Sequence, residues 1–101
     1  MSEMPKFYQK LQADYKEVME AVDQLGKAVL NAGPLDEKVT QLIKLAAAAT
    51  QKSEGAVHSH ARRAMEAGAS PEEVRHALIL LVPTIGYPNA AAALSWVQDL
   101  L

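Results

Sequence analysis

Apolar residues recur every three or four positions along most of the chain, the spacing that places them on one face of an α-helix. In the first third the steps alternate between three and four over three heptads, at Tyr8, Leu11, Tyr15, Val18, Val22, Leu25 and Val29. We expect one long helix there, from about Pro5 to about Asn31. Gly26 lies inside it and weakens the last turns, at a cost of about 1 kcal/mol relative to alanine. The seam of apolar residues predicts packing on the chain's own bundle or on another subunit.

Four further helices are expected after the Gly33-Pro34 interruption. Asp36 is positioned to cap the second helix, and we expect its buried stripe to consist of Val39, Leu42, Ile43, Ala46 and Ala49. The third helix should run from Ser53 or Glu54 to Ala67, with Gly68 after it in a left-handed conformation. The alanines of the second helix present little side chain, so another helix can approach it closely.

Ser70-Pro71-Glu72-Glu73 is a strong start signal for the fourth helix, because Ser70 and Glu73 can form a capping box around a proline at the first position. Pro83 predicts a kink or a stop. Pro88 opens the last helix, which carries Ala91, Leu94, Val97 and Leu101 at helical spacing. The sequence therefore predicts an all-α array of about five helices with short loops.

Composition narrows the class of protein. The chain has 101 residues, half of them hydrophobic. We expect a single domain, with the long helix over residues 1–32 and a core over 33–101. Its 10 basic and 12 acidic residues leave no basic stripe, so nucleic acid is not an expected partner. The longest apolar run, 77–82, is too short to cross a membrane. We expect a cytoplasmic protein.

The absence of cysteine excludes disulfides, thiolate metal sites and thiol-based catalysis. Of the histidines, His60 falls on the expected buried side of the third helix. Its reference pKa near 6.5 suits a proton donor or acceptor at neutral pH. A hydrogen-bonded structural histidine is the alternative. His58, about 200° away around the helix, should face solvent, and the two cannot chelate one metal; no metal or other cofactor is expected.

Arg62 and Arg63 follow closely after His60. An arginine fork binds a carboxylate through two hydrogen bonds, so either side chain could hold a small acidic molecule. The alternative is pairing with Glu66 and other acids on the helix surface. From these residues alone, the sequence predicts a helical oligomer with one candidate histidine.

A spaced motif carries a family resemblance. His60, Ala64, Gly68, Ala69, Ser70, Glu73 and Val74 fit H-x-x-x-A-x-x-x-G-A-[ST]-x-x-E-[IV]. Leu35-Asp36 lies upstream, and Gly86-Tyr87-Pro88 precedes an alanine-rich helix downstream. Together these resemble the carboxymuconolactone decarboxylase family, which includes the alkylhydroperoxidase D proteins. The resemblance covers residues 33–101 and implies an all-α fold assembled as a trimer or hexamer, with active sites near subunit contacts.

Peroxidase members of that family use a C-x-x-C pair, a histidine four residues after it and a glutamate twelve residues before it. By this resemblance the cysteine positions hold Ser53 and Ala56, the glutamate position holds Gln41, and only His60 is kept. A disulfide cannot form from serine and alanine, so thiol peroxidase activity is not expected.

Decarboxylase members can also lack the cysteines and keep the histidine; they convert 4-carboxymuconolactone to 3-oxoadipate enol-lactone. The resemblance then implies that His60 is the catalytic proton donor, and Arg62, Arg63, His58 and Gln41 are the candidate substrate-binding residues. Three functions stay open. They are a cofactor-free decarboxylase of a small acidic lactone, a non-catalytic ligand-binding or structural oligomer, and a peroxidase-type role assigned by family only.

Overall fold

The computed structural model describes residues 5–101, which form α-helices and one short 3-10 helix, with no strand among them. The helices are α1 (Lys6–Asp14), α2 (Lys16–Leu30), α3 (Glu37–Thr50), α4 (Glu54–Glu66), α5 (Pro71–Ile79), α6 (Val82–Ile85) and α7 (Tyr87–Ser95). The 3-10 helix covers Gln98–Leu100. The all-α fold class predicted from the sequence is confirmed.

The chain divides into two compact units, with the boundary between Pro34 and Leu35. In the N-terminal unit the prediction of a single helix from Pro5 to Asn31 is wrong. Tyr15 has φ −131° and ψ 52°, which is not a helical conformation, and it separates α1 from α2. No side chain in α1 or α2 is buried. In the single chain these helices therefore have no buried side chain to stabilise them, and Gly26 is accommodated inside α2.

The apolar seam of the N-terminal unit keeps its helical spacing across the break. Along α2 the side chains of the seam are more than half exposed, namely those of Val18, Val22, Leu25 and Val29. Tyr8 and Tyr15 are also more than half exposed. Single exposed apolar side chains are common on protein surfaces, but a continuous row of them on one helix face is typical of a surface that packs against another helix or subunit.

Caps define the helices of the C-terminal unit as the sequence predicts. The Asp36 carboxylate accepts a hydrogen bond from the Val39 amide at 2.9 Å. Ser70 and Glu73 form the complete capping box at the start of α5. Gly68 has φ +105°, a region that side chains disfavour. The structure divides two of the five expected helices. The first is divided at Tyr15, and the fourth is divided close to Pro83, because α5 ends at Ile79 and α6 begins at Val82.

The core of the C-terminal unit is built from small and medium apolar side chains. Its largest fully buried members are Leu45, Val57, Val74, Leu78 and Val97. Alanines fill the contact between α3 and α4, namely Ala48, Ala49, Ala61 and Ala64. Because alanine keeps two helix backbones close, polar side chains on the facing sides of α3 and α4 can meet directly.

The buried face of α3 differs from the predicted stripe. Ala49 is buried as predicted, and the other buried residues are Gln41, Leu45 and Ala48, whereas Ile43 is 52% exposed. Val39, Leu42 and Ala46 are only half-buried. The apolar residues of α3 lie on two adjacent faces of the helix. The sequence predicts that the more hydrophobic of these faces is buried. The helix turns the face with Gln41 toward the core.

Candidate functional site

His60 and Gln41 meet between the two central helices of the C-terminal unit. His60 lies in the middle of α4 and is half-buried. Gln41 lies in the first turns of α3 and is only 7% exposed. The distance between His60 Nδ1 and Gln41 Oε1 is 2.8 Å. The prediction from sequence that His60 lies on the buried side of its helix is confirmed, and the structure brings two of the candidate residues, His60 and Gln41, into contact.

This hydrogen bond assigns the hydrogen on the imidazole ring. An amide oxygen only accepts, so Nδ1 must carry the hydrogen that is donated to Oε1. A neutral ring then has its lone pair on Nε2. In residues 5–101 no buried side-chain nitrogen or oxygen lacks a partner, and the only hydrogen bond of His60 there is through Nδ1. Nε2 is therefore accessible, and it is the nitrogen that can exchange a proton with a ligand or with water.

The surroundings of His60 favour its neutral form. Burial is the main cause that lowers its pKa below the ordinary value, and the positive charges of Arg63 and then Lys44 lower it further. Lys44 lies three residues after Gln41 along α3, and Arg63 lies three residues after His60 along α4. Residues three apart are neighbours on a helix surface, so both cations flank the same site. Lys44 was not among the candidates from sequence, because its relation to His60 depends on how α3 packs on α4.

The other two predicted binding residues make different contacts. Arg62 Nη1 is 2.7 Å from Glu66 Oε1 one helical turn away, the surface pairing that was its alternative interpretation. His58 Nε2 is 2.8 Å from Oδ2 of Asp99, a residue of the 3-10 helix. Both lie about 200° around α4 from His60. The structure thus groups Gln41, His60 and Arg63 and does not bring Arg62 or His58 to them.

The two cysteine positions of the peroxidase members lie at the start of α4. Ser53 is the N-cap residue, with no side-chain capping hydrogen bond, and Ala56 follows in the first turn. Both are half-buried and lie on the same side of the helix as His60.

A separate groove of about 380 Å³ lies between α3 and α5. Its lining is mostly apolar and includes Val39, Leu42, Ile43, Ala46, Leu80 and Leu81, with Glu73 and His76 as polar members. These α3 residues lie about 100–200° around the helix from Gln41. The groove is therefore on the other side of α3 from His60, and the two are distinct surfaces.

Neither a metal-binding cluster nor a membrane-spanning helix occurs in the described part of the chain. Within residues 5–101 no three histidine, aspartate or glutamate side chains are grouped closely enough to hold a metal ion. None of the helices there combines the length and the hydropathy needed to span a bilayer.

Comparisons with known proteins agree with the fold and the motif. The chain is 34% identical over 83 residues to the uncharacterized protein MJ1511 of Methanocaldococcus jannaschii, covering 82% of this chain and 78% of that protein. It superposes with a TM-score of 0.79 and 27% identity on the crystal structure of apo-lpg0406, a carboxymuconolactone decarboxylase family protein from Legionella pneumophila. That match covers 91% of this chain and 85% of the other. Residues 16–99 match the family profile, so the chain belongs to the carboxymuconolactone decarboxylase family.

Proposed function

We propose that the protein is a cofactor-free decarboxylase of a small acidic molecule, such as a carboxylated lactone, with His60 as the proton donor. The observation that carries the proposal is the 2.8 Å contact of His60 Nδ1 with Gln41 Oε1. It leaves Nε2 accessible beside Lys44 and Arg63. A positioned histidine and fixed positive charge are the two elements that decarboxylation needs.

The reaction follows from these groups. The bond between carbon and the carboxylate breaks, CO2 leaves, and the electron pair stays on the carbon. Protonated His60 gives the hydrogen on Nε2 to that carbon, and the ring regains a proton from water. Positive charge nearby stabilises the carboxylate on binding and the negative charge that develops afterwards. No thiol takes part, since the sequence has no cysteine.

A non-catalytic ligand-binding role is the second candidate, and the electrostatics of the site favour it. Because the pKa of His60 is lowered, the free protein holds a neutral ring near pH 7. Its Nε2 then accepts a hydrogen bond and has no proton to give. A site of this kind binds a ligand through Nε2 and the cations without changing it.

Decarboxylation of 4-carboxymuconolactone, followed as loss of substrate and release of CO2, separates the two functions. The unmutated protein is compared with His60→Ala and with His76→Ala, a histidine on the other surface. We expect turnover in the unmutated protein and in His76→Ala, and at least a 100-fold loss in His60→Ala, the usual size of an acid–base contribution. An inactive but folded unmutated protein would contradict the decarboxylase and favour the ligand-binding oligomer.

We also propose that the protein assembles with copies of itself, as a trimer or hexamer. The exposed seam of α2 supports this, because a free monomer would leave these apolar side chains in water. The expected ligand is a small acidic molecule, and neither nucleic acid nor membrane is proposed as a partner. We expect the protein to act in the cytoplasm.

A further inference from the structure

The proposed proton donor has the wrong protonation state in the free protein. The hydrogen of the neutral ring is on Nδ1, where Gln41 accepts it. To donate from Nε2, His60 must first become an imidazolium. Burial, Arg63 and Lys44 all oppose that change. Something that arrives with the ligand must therefore reverse their effect.

Lys44 and Arg63 are placed to bind the charge that would do so. Lys44 follows Gln41 by three residues on α3, and Arg63 follows His60 by three residues on α4. Neighbours at this spacing have Cβ atoms about 5–6 Å apart. Since His60 and Gln41 are in direct contact, each cation is about one helical turn from one end of the same hydrogen bond, on two different helices.

These two cations lack the acidic partners that neighbouring basic side chains have. Lys38 is 3.0 Å from Glu73, Arg62 is 2.7 Å from Glu66, and Arg75 is 3.6 Å from Glu72. Within residues 5–101, neither Lys44 nor Arg63 has an acidic group within 4.0 Å. Lys44 is half-buried and Arg63 is exposed, so a ligand can reach the pair from solvent.

We propose that Lys44 and Arg63 together bind a carboxylate, and that the bound carboxylate causes His60 to take up a proton on Nε2. The negative charge of the carboxylate offsets part of the positive field of the two cations, and this favours the imidazolium. His60 is then neutral in the free protein and protonated only with ligand in place. This inference deepens the proposed function and rests on it for its catalytic consequence, whereas the binding step can be tested without turnover.

The charges that act on His60 come from α3 and α4. Lys44 is the one on α3, and Arg63 is the one on α4. On α5, Glu73 is paired with Lys38 and Arg75 with Glu72, while His76 faces the separate groove. The titratable group of α7 is Tyr87, which is exposed. In the C-terminal unit, Lys44 and Arg63 are therefore the two charges whose effect on His60 a bound anion would offset.

Binding and protonation must affect each other equally. A carboxylate that raises the pKa of His60 by one unit binds about tenfold more tightly to the protonated protein than to the neutral one. Anion affinity should therefore increase as the pH falls through the pKa of His60. A neutral ligand of the same shape should show no such dependence.

Nuclear magnetic resonance titration of the three histidine rings tests the inference, with glutarate as the probe and the neutral diamide glutaramide as its control at equal ionic strength. We expect glutarate to raise the pKa of His60 by about one unit or more, a tenfold effect. Glutaramide should leave it unchanged, and the rings of His58 and His76 should not follow the ligand.

Four variants, one of them a control, identify the cations responsible. Lys44→Met and Arg63→Met each keep an apolar stem and should raise the pKa of His60 without ligand, while reducing its response to glutarate. Lys52→Met, a change in the turn after α3, should behave as the unmutated protein. A His60 that ignores glutarate, or a full response in the double variant Lys44→Met/Arg63→Met, would overturn the inference.

The two proposals fail in different ways. If glutarate protonates His60 but 4-carboxymuconolactone is not turned over, the carboxylate site stands and the decarboxylase is wrong. If turnover depends on His60 while its pKa does not respond to glutarate, the decarboxylase stands and the Lys44–Arg63 pair is wrong.

Discussion

His60 donates the hydrogen on Nδ1 to Oε1 of Gln41 across 2.8 Å, between two helices that alanines hold close together. The bond joins a side chain at the start of α3 to one in the middle of α4. It fixes the orientation of the ring and leaves Nε2 as the nitrogen that can react. Gln41 is thus a positioning residue in this arrangement, since it acts on a ligand only through His60.

Gln41→Glu should make His60 a stronger base. A buried carboxylate that accepts the Nδ1 hydrogen attracts the imidazolium, as it does in other paired histidines. We expect the pKa of His60 to rise, to the point where the ring is protonated near neutral pH without ligand. A nuclear magnetic resonance titration of the ring measures this directly.

Gln41→Leu is the matched control for that change, because it removes the acceptor without adding a charge. It leaves the Nδ1 hydrogen unpaired in a half-buried place, at a cost of about 1–3 kcal/mol in the free energy of unfolding. An unchanged His60 pKa in a folded Gln41→Glu protein would mean that the two side chains do not share this hydrogen bond.

Much of the fold could be predicted because its signals are local. Asp36 and Ser70 cap helices through contacts within three residues, and both were identified from sequence. The break at Tyr15 has no such signal, since neither proline nor glycine is near it. The apolar spacing continues through Tyr15 without interruption, so the periodicity could not show where α1 ends.

The candidate site was predictable only in part, for a different reason. His60 could be placed on a buried helix side by its own neighbours, and the motif marked it independently. Gln41 was named, but as a ligand contact, because nothing in the sequence shows that α3 turns it toward α4. Lys44 was missed. Its position three residues after Gln41 is a usable signal only once the pairing of Gln41 with His60 is known.

The stability of the protein should depend on pH through His60. The unfolded chain has an ordinary histidine pKa of about 6.5, and the folded state has a lower one. Between these values the unfolded state binds more protons, so the free energy of unfolding must fall as the pH is lowered. Full stability is therefore present above about pH 7.5, and the loss continues until the pH is below the folded pKa.

Urea unfolding at a series of pH values between 5 and 8 measures this dependence. His60→Gln should flatten the curve, because it removes the titrating group and keeps a polar side chain. His76→Gln, on the other surface, serves as the matched comparison. An equally steep curve in His60→Gln and the unmutated protein would show that other groups cause the pH dependence.

Ser53→Cys combined with Ala56→Cys should produce a disulfide. Ser53 is the N-cap of α4 in an extended conformation, with φ −95° and ψ 93°, and Ala56 lies in the first turn. Two cysteines at such a helix start can approach each other, and the positive end of the helix favours the reactive thiolate. After mild oxidation, thiol titration should detect almost no free thiol.

The pair Ser59→Cys/Arg62→Cys has the same spacing in the regular part of α4 and is the control. Cβ atoms three residues apart inside a helix are about 5–6 Å apart, whereas a disulfide needs about 3.5–4.5 Å. We expect both thiols to remain free there. Free thiols in the Ser53/Ala56 variant as well would mean that the start of α4 does not correspond to the cysteine pair of the peroxidase members.

The seam of α2 should hold an oligomer together. Val22 and Leu25 are 59% and 63% exposed in the single chain. The positions beside the seam hold small or apolar residues, namely Met19, Ala21, Gly26 and Ala28. A two-stranded coiled coil usually has charged residues there. Such a wide apolar face fits a groove between helices better than one partner helix, so this chain should form more than a simple coiled-coil pair.

Light scattering coupled to size exclusion tests this assembly. The unmutated protein should elute as a trimer or hexamer, and Val22→Lys/Leu25→Lys should elute as a monomer, because each lysine puts a charge into the apolar contact. The control, Glu20→Lys/Asp23→Lys, changes net charge by more but lies on the opposite side of the helix, so it should stay assembled. A monomeric unmutated protein, or a double-lysine variant that keeps its size, would show that the seam has another role.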